Sequence, residues 1–153
     1  MESQISIDEL DLKIISQLQK DSRQSFQQLA DKLGIAVGTA YNRVKRLEEN
    51  KVIKKYSAVI DPAKIGVSLT ALVLVQAEGS HIIDLEKVLA KMEEAVAVYD
   101  ITGDFDIAVV ARFKDTKELN SFVKRLLGMA YVKRTVTDVM LNVVKEDFTL
   151  PAF

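Results

Sequence analysis

The hydrophobic pattern of this chain changes its period once, near Asn50. From Ser6 to about Asn50 apolar residues recur at helical spacing; from Val52 onward β-branched runs alternate with helical segments. Two such regimes predict an α+β protein built from two small units. The 153 residues are enough to bury a core in each, and 48% apolar against 28% charged residues is an ordinary globular balance.

The first regime divides into three short helices. Ser6-x-x-Glu9 reads as a capping box, followed by Leu10, Ile14 and Leu18 on one face, with Asp21-Ser22 as the stop. Ser25-x-x-Gln28 is a second such box, leading Phe26, Leu29, Ala30 and Leu33 to a stop at Gly34. A third helix starts a few residues later, with Ala40, Val44 and Leu47 inward. The tight turn at Gly34 makes the second and third helices a helix-turn-helix pattern. The stretch Val52–Ile60, closed by Asp61-Pro62, predicts a wing or linker strand, and Lys64-Ile65-Gly66 completes the boundary. The expected divisions are 1–52, 53–66 and 67–153.

In the second regime Leu69–Ala77 is strand-like, and its unbroken apolar run Ala71–Val75 predicts burial on both faces. Ile82, Leu85, Leu89 and Met92 mark a helix. Val96–Thr102 and Ile107–Phe113 are strands joined by the hairpin Gly103-Asp104-Phe105-Asp106. Asp115-x-x-Glu118 caps a helix carrying Leu119, Phe122, Val123, Leu126 and Leu127 inward, Gly128 stops it, and Val132–Val144 is a last long strand. The order is β-α-β-β-α-β. The expected fold is therefore an N-terminal three-helix, winged-helix-like helix-turn-helix domain plus a C-terminal ferredoxin-like βαββαβ sandwich. Two helices protect one face of a four-stranded sheet, so the other face is expected to meet a second subunit.

Composition removes several classes. Without cysteine there is no disulfide, thiolate chemistry or zinc finger, and a lone histidine, His81, makes no transition-metal cluster, so neither metal nor cofactor is expected. His81, at a helix start, reads as a surface or capping residue. No run approaches the ~18–20 apolar residues of a membrane span, and Met1-Glu2-Ser3-Gln4 lacks a secretory pattern, so a cytoplasmic protein is expected.

The net charge of −1 conceals an asymmetry. Residues 1–60 carry ten Lys/Arg against eight Asp/Glu, and Arg43–Lys55 alone holds six basic residues against two acidic. A basic element on an acidic body can bind phosphate without making the protein basic, although a solvated helix face would look the same. With Ala40, Val44 and Leu47 inward, the third helix offers Gly38, Thr39, Tyr41, Asn42, Lys45 and Arg46 outward. Gly38 allows close backbone approach, Thr39 and Asn42 suit base edges, and Tyr41 suits a thymine methyl or a phosphate. Arg43, Lys45, Arg46, Lys54 and Lys55 suit phosphates.

Asp8-Glu9-Leu10-Asp11-Leu12-Lys13-Ile14-Ile15, Leu29-Ala30-x-x-Leu33-Gly34-Ile35 and Thr39-Ala40-Tyr41-Asn42-Arg43-Val44-Lys45-Arg46-Leu47-Glu48-Glu49 together resemble the Lrp/AsnC (leucine-responsive, feast/famine) regulators. So do Val52-Ile53-Lys54-Lys55-Tyr56, Ile60-Asp61-Pro62, Gly66, Gly103-Asp104-Phe105-Asp106 and Val132-x-Arg134-Thr135. Ala36 stands where that family often has a serine cap, and Lys51 where it often has glycine. The resemblance implies homodimers assembling further into tetramers or octamers, and amino acids or related metabolites as effectors. It carries Gly103, Asp104 and Asp106 over as effector-loop residues, with Thr135, Thr137 and Asp138 of the last strand beside them.

The residues agree in part. Asp104 and Asp106, two apart in a hairpin, can accept an α-ammonium group while turn amides hold a carboxylate, yet Gly-Asp also favours a tight hairpin with no ligand. Acid/base work by the pair is a poor reading, since no nucleophile, histidine or phosphate loop accompanies it. A sequence-specific regulator on double-stranded DNA, with a palindromic operator, is the leading expectation, and no enzyme is expected. A sequence-indifferent chromatin-type binder and an allosteric enzyme subunit stay open beside it.

Overall fold

The protein is described by a computed structural model that covers residues 6–150. The Met1–Gln4 stretch, on which the expectation about a secretory pattern rests, lies outside them. Two compact units divide the chain, one running to Val59 and resuming at Glu146, the other Ile60–Lys145.

In the first unit α1 spans Glu9–Lys20, α2 Phe26–Leu33 and α3 Val37–Glu49. The first capping box is displaced from Ser6/Glu9: Asp8 is the cap, accepting from the Asp11 N–H at 2.9 Å, and the Asp11 carboxylate accepts from the Asp8 N–H at 3.1 Å. Aspartate is as good a cap as serine and adds negative charge at the helix N-terminus; Glu9 is left to pair with Lys13 at 2.7 Å. The Ser25/Gln28 box forms as expected, and Gly34, at φ 66°, ends α2 in the left-handed region that glycine tolerates. Ala36 caps α3 with no side-chain bond. Ile14, Leu29, Ala30, Ala40, Val44 and Leu47 form the buried core, and Ile53 packs against it.

The α3 C-terminus closes by a Schellman turn. The Val52 N–H reaches the Leu47 carbonyl at 2.9 Å and the Lys51 N–H reaches that of Glu48 at 3.0 Å, which requires Lys51 to sit at φ 57°. The strand expected within 53–66 does not form. A strand needs a ladder, and residues 54–60 pair with none among the described residues, leaving Val59 97% exposed. One 3-10 turn, Pro62–Ile65, follows.

The second unit is a four-stranded antiparallel sheet in the order β2-β3-β1-β4, with β1 Leu69–Ala77, β2 Ala95–Asp100, β3 Ile107–Phe113 and β4 Val132–Val139. Helices α4, Ile82–Leu89, and α5, Thr116–Leu127, cover one face. Ala71, Val73, Val75 and Ala77 of β1 and Ile107, Val109, Ala111 and Phe113 of β3 are buried with Leu85, Leu89, Phe122 and Leu126. Phe113 and Phe122 meet edge to face at 5.2 Å.

Burial of β1 alternates, so within one chain the Ala71–Val75 run is covered on one face only. Leu72, Leu74, Ala108, Val110 and Val136 share the face without helices. Leu127, expected inward, is exposed at the last residue of α5. Strand β4 ends five residues short of Val144. Its partner β1 begins at Leu69, so past the Met140 N–H bonded to the Thr70 carbonyl no ladder remains.

Candidate DNA-reading face and effector loop

Helix α3 buries Ala40, Val44 and Leu47 and thereby turns Gly38, Thr39, Tyr41, Asn42 and Lys45 outward, all exposed. The Tyr41 ring is propped edge to face on Phe26 at 5.3 Å, so α2 sets where the phenol stands. Lys45 lies 3.8 Å from Glu49, and Lys54 and Lys55 are exposed just beyond α3. Tyr56 donates to Glu48 at 2.8 Å; burial, with the added effect of that carboxylate, pushes its phenol up to about 12.

Arg43 and Arg46 are placed differently from the phosphate contacts the sequence suggested. Both turn onto α1, where Asp11 is fully buried: Arg43 reaches one oxygen at 3.1 Å, and Arg46 bonds the other. Arg43 also pairs with Asp8, and that hydrogen bond, foremost among several causes, holds the Asp8 carboxyl down at about 2. The four charges form a closed latch between the start of α1 and the middle of α3. Sequence reasoning missed it; the signal was Asp11 at a position where α1 faces inward, on the Ile14 side.

In the second unit Gly103 adopts φ 120°, a conformation that L side chains rarely reach, and Asp104 stands exposed with no hydrogen bond among the described residues. Asp106 is half-buried and committed. Its Oδ2 accepts from the Ala77 N–H at 2.8 Å, its N–H donates to the Val75 carbonyl at 3.0 Å, and its carbonyl accepts from Ile101 at 2.9 Å. It closes the loop against the end of β1, beside the irregularity where β1 and β4 shift register at Gln76/Ala77.

Of the β4 candidates, Thr135 is opposite Val75 and lies nearest this loop. Thr137 is one step farther along the helix-covered face, and Asp138, opposite Leu72, is on the other face. A contact not anticipated joins the two segments: the Arg134 guanidinium lies 5.2 Å from the Phe105 ring centroid. His81, expected at a helix start, stacks on Tyr131 at 3.6 Å and makes no cap bond.

Residues 7–54 match the family model of winged helix-turn-helix DNA-binding domains, and residues 70–150 match that of the Lrp/AsnC ligand binding domain. The chain belongs to the Lrp/AsnC family. An HTH-type transcriptional regulator of Pyrococcus abyssi is 46% identical over 144 residues, covering 94% of this chain and 98% of the relative. The HTH-type transcriptional regulator FL11 of Pyrococcus horikoshii is 37% identical over 147 residues, covering 96% and 97%. The crystal structure of an AsnC family regulator from Agrobacterium tumefaciens superposes with a TM-score of 0.85 at 26% identity, over 95% and 97% of the two chains. A Neisseria meningitidis regulator, solved as an L-Met complex, shares the fold at 24% identity, with a TM-score of 0.87 over 95% and 97% of the chains.

This Lrp/AsnC protein is thus a DNA-binding transcription regulator with a small-ligand-binding domain. Both of its expected departures from the family pattern are visible: α3 starts without a side-chain cap at Ala36, and Lys51 occupies a left-handed position.

Proposed function

We propose that the protein acts in the cytoplasm as a homodimer, assembling further to a tetramer or octamer, which reads a palindromic operator in double-stranded DNA. Amino acids, or related metabolites, are its effectors. The observation that carries the DNA reading is the outward row Gly38, Thr39, Tyr41, Asn42 and Lys45 on a helix whose opposite side is the core of the head. Dimerisation is supported by the apolar residues Leu72, Leu74, Val110 and Val136 on the sheet face that carries no helix. Two reading helices related by a two-fold axis address half-sites roughly 34–36 Å apart, or a multiple of that spacing.

Effector recognition is assigned to Gly103, Asp104 and Asp106 with Thr135, while Thr137 and Asp138 stand farther along β4. The exposed Asp104 carboxylate is the natural partner for an ammonium group. Asp106 holds the loop in shape with one oxygen and keeps the other for the ligand.

The commitment of Asp106 to Ala77 also favours a second reading, a loop that is only a turn in a sequence-indifferent DNA binder. A thermal-shift screen of the amino acids followed by calorimetry separates the two. Under the effector reading one amino acid raises the melting temperature, and Asp104→Asn weakens its binding by about 1.5–3 kcal/mol. No shift with any amino acid, together with no footprint against competitor DNA, would establish the second reading.

A further inference from the structure

We propose that the chain's own C-terminal tail, residues 146–150, is a working part of the DNA-binding head, strapped to α1 by Gln19. Strand β4 ends at Val139, the chain leaves the sheet with Leu141 and Val144 almost fully exposed, and from Glu146 it belongs to the compact unit of the head. There the Gln19 side chain treats Leu150 as a neighbouring strand would. Its Oε1 accepts the Leu150 N–H at 2.7 Å, and its Nε2 donates to the Leu150 carbonyl at 3.4 Å.

The approach is shaped locally. Asp147 Oδ1 accepts both the Thr149 N–H at 2.9 Å and the Thr149 hydroxyl at 2.7 Å, a short Asx turn just before the strapped residue. Gln19 is the penultimate residue of α1, a helix end already tied down by Gln24 donating to the Gln17 carbonyl at 2.9 Å. The head is therefore built from both ends of the described chain, and two covalent crossings join it to the ligand-binding domain, at 59–60 and 145–146. An α1 end held by the strap has less freedom to lose when the head binds DNA than an end left free. The strap thus favours DNA binding without touching DNA.

Hydrogen exchange on the full-length protein tests this, with Gln19→Ala and Gln19→Glu beside the wild type. Alanine preserves α1 and removes both bonds; glutamate keeps the acceptor for the Leu150 N–H and loses only the longer bond. The Leu150 amide should exchange at least tenfold more slowly than in a free peptide in wild type and in Gln19→Glu, and at the free rate in Gln19→Ala. On a fixed mixed-sequence duplex, Gln19→Ala should bind two- to fivefold more weakly with an unchanged salt slope, and Gln19→Glu like wild type. A wild-type Leu150 amide exchanging at the free rate would overturn the strap. Loss of protection with no change in affinity would overturn its working role.

Discussion

Arg46 of α3 donates to Asp11 of α1, a fully buried carboxylate 35 positions earlier in the chain. Arg43 reaches the other oxygen, so a basic side chain that looks destined for phosphate is spent on holding α3. Breaking a buried pair leaves a charge without compensation, at about 3–5 kcal/mol, but both arginines keep part of their solvent contact and the penalty shrinks accordingly. Asp11→Ala should destabilise the head by about 2–4 kcal/mol in urea unfolding. Arg46→Ala should also destabilise it while leaving the salt slope of DNA binding unchanged. A slope flattened by a full unit would return Arg46 to the phosphate contacts.

The latch carries a pH signature at its outer end. Arg43 holds Asp8 at about 2, below its ordinary 3.8. A depressed carboxylate stabilises the fold above its unfolded value, and that contribution fades as pH falls toward the folded one. The stability difference between wild type and Arg43→Ala should therefore be full above about pH 4 and shrink between pH 4 and pH 2. Carboxyl NMR should find Asp8 of the Arg43→Ala variant raised toward the ordinary aspartate range, with the Asp11 N–H still holding it partly down.

Lys51 occupies the left-handed position of the Schellman turn, at φ 57°. That conformation costs a non-glycine residue about 1–2 kcal/mol, partly offset because glycine loses more chain entropy on folding. Lys51→Gly should stabilise the head by about 0.5–1 kcal/mol, read as a higher urea midpoint at constant m-value. A lower midpoint would mean that the Lys51 side chain makes compensating contacts.

With Arg43 and Arg46 paired to α1, the phosphate contacts proposed for this head are Lys45, Lys54 and Lys55, all exposed. Lys54→Ala should weaken binding to every duplex alike and flatten the salt slope by about one unit. Thr39→Ala or Asn42→Ala should instead reduce discrimination between operator and competitor by about 1–3 kcal/mol for a bidentate base contact, and by less for a single bond. Titrations at several salt concentrations read both quantities, and equal losses for all variants on all duplexes would remove α3 as the reader.

Periodicity and capping residues determined most of the architecture: the Ser25/Gln28 box and the Gly34 stop rest on interactions within a few residues, and β3 at Ile107–Phe113 and the βαββαβ order were legible in the apolar pattern of each segment. What the tertiary structure alone decided depends on partners distant in the chain. Arg43 and Arg46 read as phosphate contacts because their basicity is local information, whereas Asp11 lies 32 and 35 positions away. Asp106 read equally as an ammonium acceptor and as a turn residue, because the Ala77 N–H it accepts from is 29 positions earlier. Val132–Val144 read as one long strand because β-branching says nothing about where β1 ends, and a strand lasts only as long as its ladder.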